Sequence, residues 1–215
     1  DQVRVLEEIY HATWAELDRE NFDAVIKRHH RRLSEWLARF YPETFVQALR
    51  NRKEIGHVEN RAYSVEFQED LFGIRLQDLL EPVLDLGCGK EGSLVRRLRE
   101  MGKESVGVDR ILASETHFLH QISWFDFVFE KETWGTVISN LAFVNHLVCA
   151  FTHKAANLHD YFKKYREITE ALKPSGTFLY SPSVPFIEDR LDPERFDIIR
   201  KPVTEELAVT RINRK

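Results

Sequence analysis

The chain has 215 residues, of which 43% are hydrophobic and 31% charged, a balance that excludes a disordered, collagen-like or low-complexity protein. Thirty-one Lys and Arg against 35 Asp and Glu leave a net charge of −4, so no global field draws the chain to nucleic acid or to an anionic membrane. The length is about one and a half typical domains, which predicts one domain with an added segment.

Two cysteines, Cys88 and Cys149, are too few for a disulfide framework or a four-cysteine zinc site and are expected as free thiols in a reducing compartment. No apolar run reaches the roughly 18 to 20 residues of a membrane span, and Asp1 to Arg4 carry no secretory pattern. The expected location is cytoplasmic; the chain begins without Met, so an upstream segment stays open.

In chain order, Val5, Leu6, Ile9 and Trp14 mark a first helix, and Phe22, Val25, Ile26, Leu33, Trp36, Leu37 and Phe40 the stripe of a second that begins near Asp23. Pro42 stops it and opens a third, carrying Phe45, Val46 and Leu49; a fourth covers Val65 to Leu80. The basic run Lys27 to Arg32 lies on the second helix, where a solvated face is the default and an anionic docking surface the alternative. This helical segment, residues 1–81, is too small to be secure alone and is expected to pack on the C-terminal remainder of the chain.

From Pro82 the pattern becomes strand, glycine-rich turn, helix, strand, the order of a parallel α/β sheet. Val83 to Leu86 is a buried strand, Ser93 to Met101 a helix with Leu94, Val95 and Leu98 inward, and Ser105 to Val108 a second strand ending at Asp109. Residues 117–127 hold a third strand and Thr136 to Ser139 a fourth. A helix over Leu158 to Leu172 closes at the Lys173-Pro174-Ser175-Gly176 turn before a fifth strand at Thr177 to Tyr180. Phe196 to Val203 and Leu207 to Ile212 read as an antiparallel pair at the sheet edge.

The chemistry concentrates in Asp85-Leu86-Gly87-Cys88-Gly89-Lys90-Glu91-Gly92, where a strand hands over to a helix. Gly87 and Gly89 let the backbone bend and approach a ligand closely, and the helix N-terminus offers unpaired N–H groups. Asp109, at the end of the next strand, is placed to accept bonds from both hydroxyls of a ribose. Glycines plus a distal acid fit nucleotide cofactors in general, NAD included. Asp85 separates the readings: it sets a carboxylate where a pyrophosphate would be repelled and a cationic ligand end welcomed. S-adenosylmethionine (SAM) has an ammonium group, a sulfonium centre and no phosphate.

These residues resemble the class I SAM-dependent methyltransferase family, whose first motif reads acid-x-Gly-x-Gly at the end of the first strand. The resemblance covers residues 82–215 and implies a Rossmann-like, mostly parallel seven-stranded sheet with an antiparallel C-terminal edge. It assigns Asp85, Gly87, Cys88 and Gly89 to the methionine part of SAM, Asp109 to the ribose, and Arg110 and Ile111 to the adenine side. The acid near the adenine amino group is Asp126, with Ser123 the alternative position. The end of the fourth strand borders the transferred methyl, Asn140 there is the candidate hydrogen-bond partner of an acceptor amine or of the SAM ammonium, and His146 is the candidate base, with a helix-start or core histidine as its structural alternative. Two departures stand out: Gly135 where the family commonly has Asp, and Glu91 where many members have the third glycine, here Gly92. Cys88 also reads as packing rather than reactive.

The resemblance implies an enzyme that moves the methyl of SAM to an oxygen or nitrogen of a small-molecule acceptor and releases S-adenosylhomocysteine, with residues 1–81 as a cap over the acceptor. Asn140 to Phe143 lacks the Asn/Asp-Pro-Pro-aromatic motif of amino-group nucleic acid methyltransferases, which disfavours a nucleic acid substrate. No histidine or carboxylate spacing suggests a metal, and no membrane partner is expected. The alternatives are an RNA- or protein-directed methyltransferase, a non-catalytic partner subunit with the same fold, and an NAD enzyme.

Overall fold

In the computed structural model, residues 2–17, 22–40, 64–204 and 207–215 are described, and the chain divides into two compact units, Asp1–Val58 and Glu59–Lys215. The expected helix after Pro42 lies outside the described residues.

Within the first unit, α1 (Gln2–Leu17) and α2 (Phe22–Phe40) pack as a pair. Glu16 on α1 accepts from Arg28 Nε at 3.1 Å and from Arg32 at 2.6 Å, while Thr13 Oγ1 lies 2.8 Å from His29 Nδ1. Half of the basic run thus faces the neighbouring helix, leaving Lys27, His30 and Arg31 exposed.

The second unit opens with α3 (Val65–Phe72), whose Ser64 Oγ caps the Phe67 N–H at 3.1 Å. The expected helix to Leu80 is too long: Gly73 takes the left-handed conformation (φ 60°, ψ 46°), and its N–H and that of Ile74 close the last turn on Asp70 and Glu69. Only a single 3₁₀ turn, at Leu76–Asp78, intervenes before the sheet.

Seven strands form one sheet in the order β3-β2-β1-β4-β5-β7-β6. The strands β1 (Val83–Leu86), β2 (Ser105–Val108), β3 (Leu119–His120), β4 (Trp134–Asn140) and β5 (Leu172–Ser181) are parallel. β7 (Ala208–Arg214) lies antiparallel between β5 and the edge strand β6 (Phe196–Pro202). This is the Rossmann-like sheet with an antiparallel C-terminal edge that the sequence predicts. Side-chain alternation along the strands sorts the core into layers. Val137, Phe178 and Tyr180 pack with α5 (Phe143–Thr152) and α6 (Leu158–Glu170) on one face. Ile138, Leu179 and Val83 pack with α3 and α4 (Ser93–Glu100) on the other.

Three expectations need correction. The third strand is two residues long, held by Gly107 and Val108 alone. Lys173 to Gly176 does not separate helix from strand but lies inside β5, where the pairing with β4 jumps from Trp134↔Leu172 to Thr136↔Thr177 and Ser175 takes φ 65°. Two helices are additional to those the sequence predicts: α5, and the short α7 (Pro185–Glu188). α5 starts without a capping side chain of its own; Ser139 Oγ, still on β4, accepts the Phe143 N–H at 3.1 Å.

Gly135 has a local reason. A Cβ there would stand 2.4 Å from the Leu80 carbonyl oxygen, so the chain entering the sheet packs on β4 where a side chain would be.

Candidate cofactor site

β1 is the centre of the site because it pairs with both β2 and β4, bringing three strand exits side by side. Gly87 and Cys88 donate backbone N–H bonds to Val108 O at 2.8 and 3.3 Å, folding the turn over the end of β2. On the opposite side the turn meets the exit of β4: a Cβ on Gly87 (φ 92°) would lie 2.2 Å from Ala142 Cβ. Gly87 is therefore required by contact between two strand exits. Gly89 differs: at φ 73° it is left-handed, but a Cβ there would meet nothing within 4 Å. It borders open space, the condition for close approach of a ligand to the backbone. Gly92 (φ 60°) sits at the N-terminus of α4, and its missing Cβ makes room for Leu119, at 2.6 Å.

Asp85 is 3% exposed and, among the described residues, has no hydrogen-bond donor and no cation on its carboxylate. Burial, reinforced by the charge of Asp109, pushes it up to about 7. Asp109 is itself buried, and its two oxygens are held apart by backbone donors: Oδ2 takes the Gly89 N–H at 2.9 Å and Oδ1 the Ile111 N–H at 3.0 Å. An ionised carboxylate offers about four acceptor positions, so each oxygen retains one for a further donor. Two neighbouring carboxylates, one without a partner among the described residues, form an acidic wall beside the turn.

Cys88 packs against Val95, Leu112 and Leu119, and burial together with Asp85 and Asp109 pushes its thiol up. That favours the packing reading over a reactive one. Ile111 is 64% exposed beside Asp109, an apolar surface bordering the turn. Arg110 is exposed, its guanidinium 5.9 Å from the centre of the Trp124 ring. Asn140 is buried at the end of β4, opposite Ser181 on β5.

His146 lies on the exposed side of α5 with its ring 5.2 Å from Trp124. Partial burial and the Arg110 charge lower its pKa and favour the neutral imidazole, with Asp109 acting in the opposite sense. Ser123 Oγ accepts the Phe125 N–H at 3.2 Å in a local turn, and Asp126 is exposed on that turn. The structure thus groups Asp85, Gly87, Gly89, Asp109 and Asn140 at adjacent strand ends and ties His146 to them through Arg110 and Trp124.

The sequence reading missed Trp124, buried against Phe143, His146 and Arg110. Its place shortly after β3, within the stretch expected to hold the third strand, was the available signal. It also missed Ala142, for which no local signal exists. Two shallow depressions of about 400 and 190 Å³ lie along β6; charge and backbone geometry, not concavity, locate the site at the turn. Among the described residues no group of His, Cys, Asp or Glu could hold a metal ion, and no helix is long and apolar enough to cross a membrane.

The chain matches no protein-family model and no curated protein. Among solved structures it is similar to the PH0226 protein from Pyrococcus horikoshii OT3, at 19% identity over 79% of this chain and 99% of that one, with a TM-score of 0.49. It is also similar to a SAM-dependent methyltransferase from Bacteroides fragilis in complex with S-adenosyl-L-homocysteine, at 15% identity, 65% and 74% coverage and a TM-score of 0.44. A third is the glycopeptide N-methyltransferase MtfA complexed with S-adenosyl-L-homocysteine, at 15% identity, 72% and 89% coverage and a TM-score of 0.45.

Proposed function

We propose that the protein is an enzyme that binds SAM at the glycine turn and transfers its methyl group to an oxygen or nitrogen atom of a small-molecule acceptor, in the cytoplasm. The observation that carries this reading is Asp85, a buried carboxylate without a cation, beside a second carboxylate and a turn that opens onto free space at Gly89. A dinucleotide pyrophosphate would add negative charge to that wall. A ligand with a cationic end removes the penalty that raises Asp85.

The residues present fit SAM. Asp85 would hold its cationic end, Gly87, Cys88 and Gly89 would lie along it, and Asp109 would accept from the ribose hydroxyls with its remaining lone pairs. Ile111 and Arg110 supply an apolar and a planar surface for the base, with Asp126 as the acid proposed for its amino group. Bound SAM supplies a methyl already activated by positive sulfur, so the protein's task is alignment and proton removal. Asn140 orients the acceptor. His146 takes the proton that an oxygen nucleophile loses, or that an ammonium must lose before its nitrogen can attack. The helical segment 1–81 is proposed to cover the acceptor; within it, α3 packs in the sheet unit.

A crystal structure with S-adenosylhomocysteine tests the assignment. Ribose hydroxyls on Asp109 and sulfur facing the exit of β4 are expected; product bound elsewhere, or helices α1 and α2 remote from that exit, would overturn the corresponding part.

A further inference from the structure

Among the described residues, β6 is the unpaired edge of the sheet, seven residues long. Its pairing with β7 is antiparallel, and the bonds Lys215 N–H to Arg195 O (2.9 Å) and Val203 N–H to Leu207 O (2.8 Å) continue that ladder at both ends. Because hydrogen-bonded pairs alternate in an antiparallel ladder, the odd-numbered residues of β6 point their backbone groups toward β7. The even-numbered ones, Phe196, Ile198, Arg200 and Pro202, point theirs outward. The Phe196 N–H is already bonded to Asp192 O at 3.0 Å, and Pro202 has no N–H. The outward donors that remain are those of Ile198 and Arg200, flanking Ile199.

We propose that this edge pairs with β6 of a second copy of the chain, antiparallel and two-fold about Ile199, joining two seven-stranded sheets into one. In that register Ile198 of one copy and Arg200 of the other exchange both backbone hydrogen bonds, twice by symmetry, so every open donor is matched. A two-fold centred on Ile198 instead sets Arg200 against Phe196, whose N–H is taken. Side chains agree with the same register. Asp197, Ile199 and Lys201 share one face, and rotation about Ile199 sets Asp197 against Lys201 of the second copy, on both sides of an Ile199–Ile199 contact. Ile199 is 54% exposed for want of such a neighbour. Lys201 has no ion pair among the described residues, whereas Asp197 has only an exposed bond to Lys215, at 3.2 Å.

Lysine and proline on an edge strand ordinarily repel further pairing. Here they are selective: Lys201 meets an acid in an antiparallel copy of the same strand, and Pro202 lies beyond the paired residues, opposite Phe196 of the second copy, whose N–H Asp192 already takes. Five paired residues bury far less than a standard interface of about 1,600 Å², so the dimer is weak and depends on concentration.

Sedimentation velocity of the full chain from low to high micromolar concentration tests this. The wild type is expected to pass from monomer to dimer. Lys201→Asp and Asp197→Lys each place like charges opposite one another in two symmetric pairs and should raise the dissociation constant about tenfold. An equimolar mixture of the two variants should form a heterodimer, and the double variant should dimerise like the wild type, which also reports that the substituted chains fold. A monomer at all concentrations, a dimer indifferent to the single substitutions, or a mixture that fails to associate would overturn the proposal.

Discussion

Asp85→Asn removes the charge on which the site reading turns while keeping the shape of the side chain. In the wild type this group moves from an ordinary value of 3.8 to about 7 on folding, which at 1.36 kcal/mol per pH unit amounts to about 4 kcal/mol. The folded protein holds the Asp85 proton more tightly than the unfolded chain, so stability falls as pH rises between about 4 and 7 and is level above. The asparagine variant has no such group. Relative to wild type it should therefore gain about 4 kcal/mol of stability between pH 4 and pH 8, superimposed on a pH-independent loss from its unpartnered amide. Urea unfolding of both proteins at a series of pH values measures the difference. Parallel curves for wild type and variant across that range would refute the account of a buried, uncompensated carboxylate. The same substitution should weaken SAM binding, so stability and affinity move in opposite directions.

Binding of a cationic ligand requires ionised Asp85, so SAM affinity should rise about tenfold from pH 6 to pH 8; titration calorimetry showing a flat profile would contradict this. Asp109→Ala should weaken SAM binding at least several-fold, and unchanged affinity would remove the ribose assignment. Gly87→Ala and Gly89→Ala should separate: the first collides with Ala142 and should lower stability by several kcal/mol, while the second costs about 1 kcal/mol of left-handed strain and mainly reduces affinity. Equal melting temperatures for the two variants would refute the distinction. Glu188→Ala should destabilise the fold by about 3 kcal/mol, because this fully buried carboxylate accepts from Tyr180, Val184 N–H, Thr210 and Arg200; a change under about 1 kcal/mol in urea unfolding would be too small for that network.

The parts of the fold that could be read were those whose cause is local. β1, β2 and the inward residues Leu94, Val95 and Leu98 of α4 follow from short apolar runs and helical spacing, and the structure has them at those positions. Elsewhere one local signal outweighed another, or the cause lay in a different strand. The stripe from Val65 continued past Gly73, but a left-handed glycine outweighed the period. Lys173 to Gly176 has the composition of a turn, yet strand pairing on either side absorbs it as an irregularity in β5. The start of α5 depends on a serine still in the preceding strand. In the candidate site, Asp85, Gly87, Gly89 and Asp109 were picked out by their spacing. That Gly87 answers to Ala142 while Gly89 faces open space was not, because it depends on strand order. The Glu188 network gathers residues from β5, β6 and β7, and no window of sequence contains it.

Calorimetric titration of the purified chain with SAM is the most direct test of the central claim. One site per chain is expected, with proton release near pH 7 as Asp85 ionises and no comparable signal from NADH. Absence of binding at millimolar SAM would contradict it.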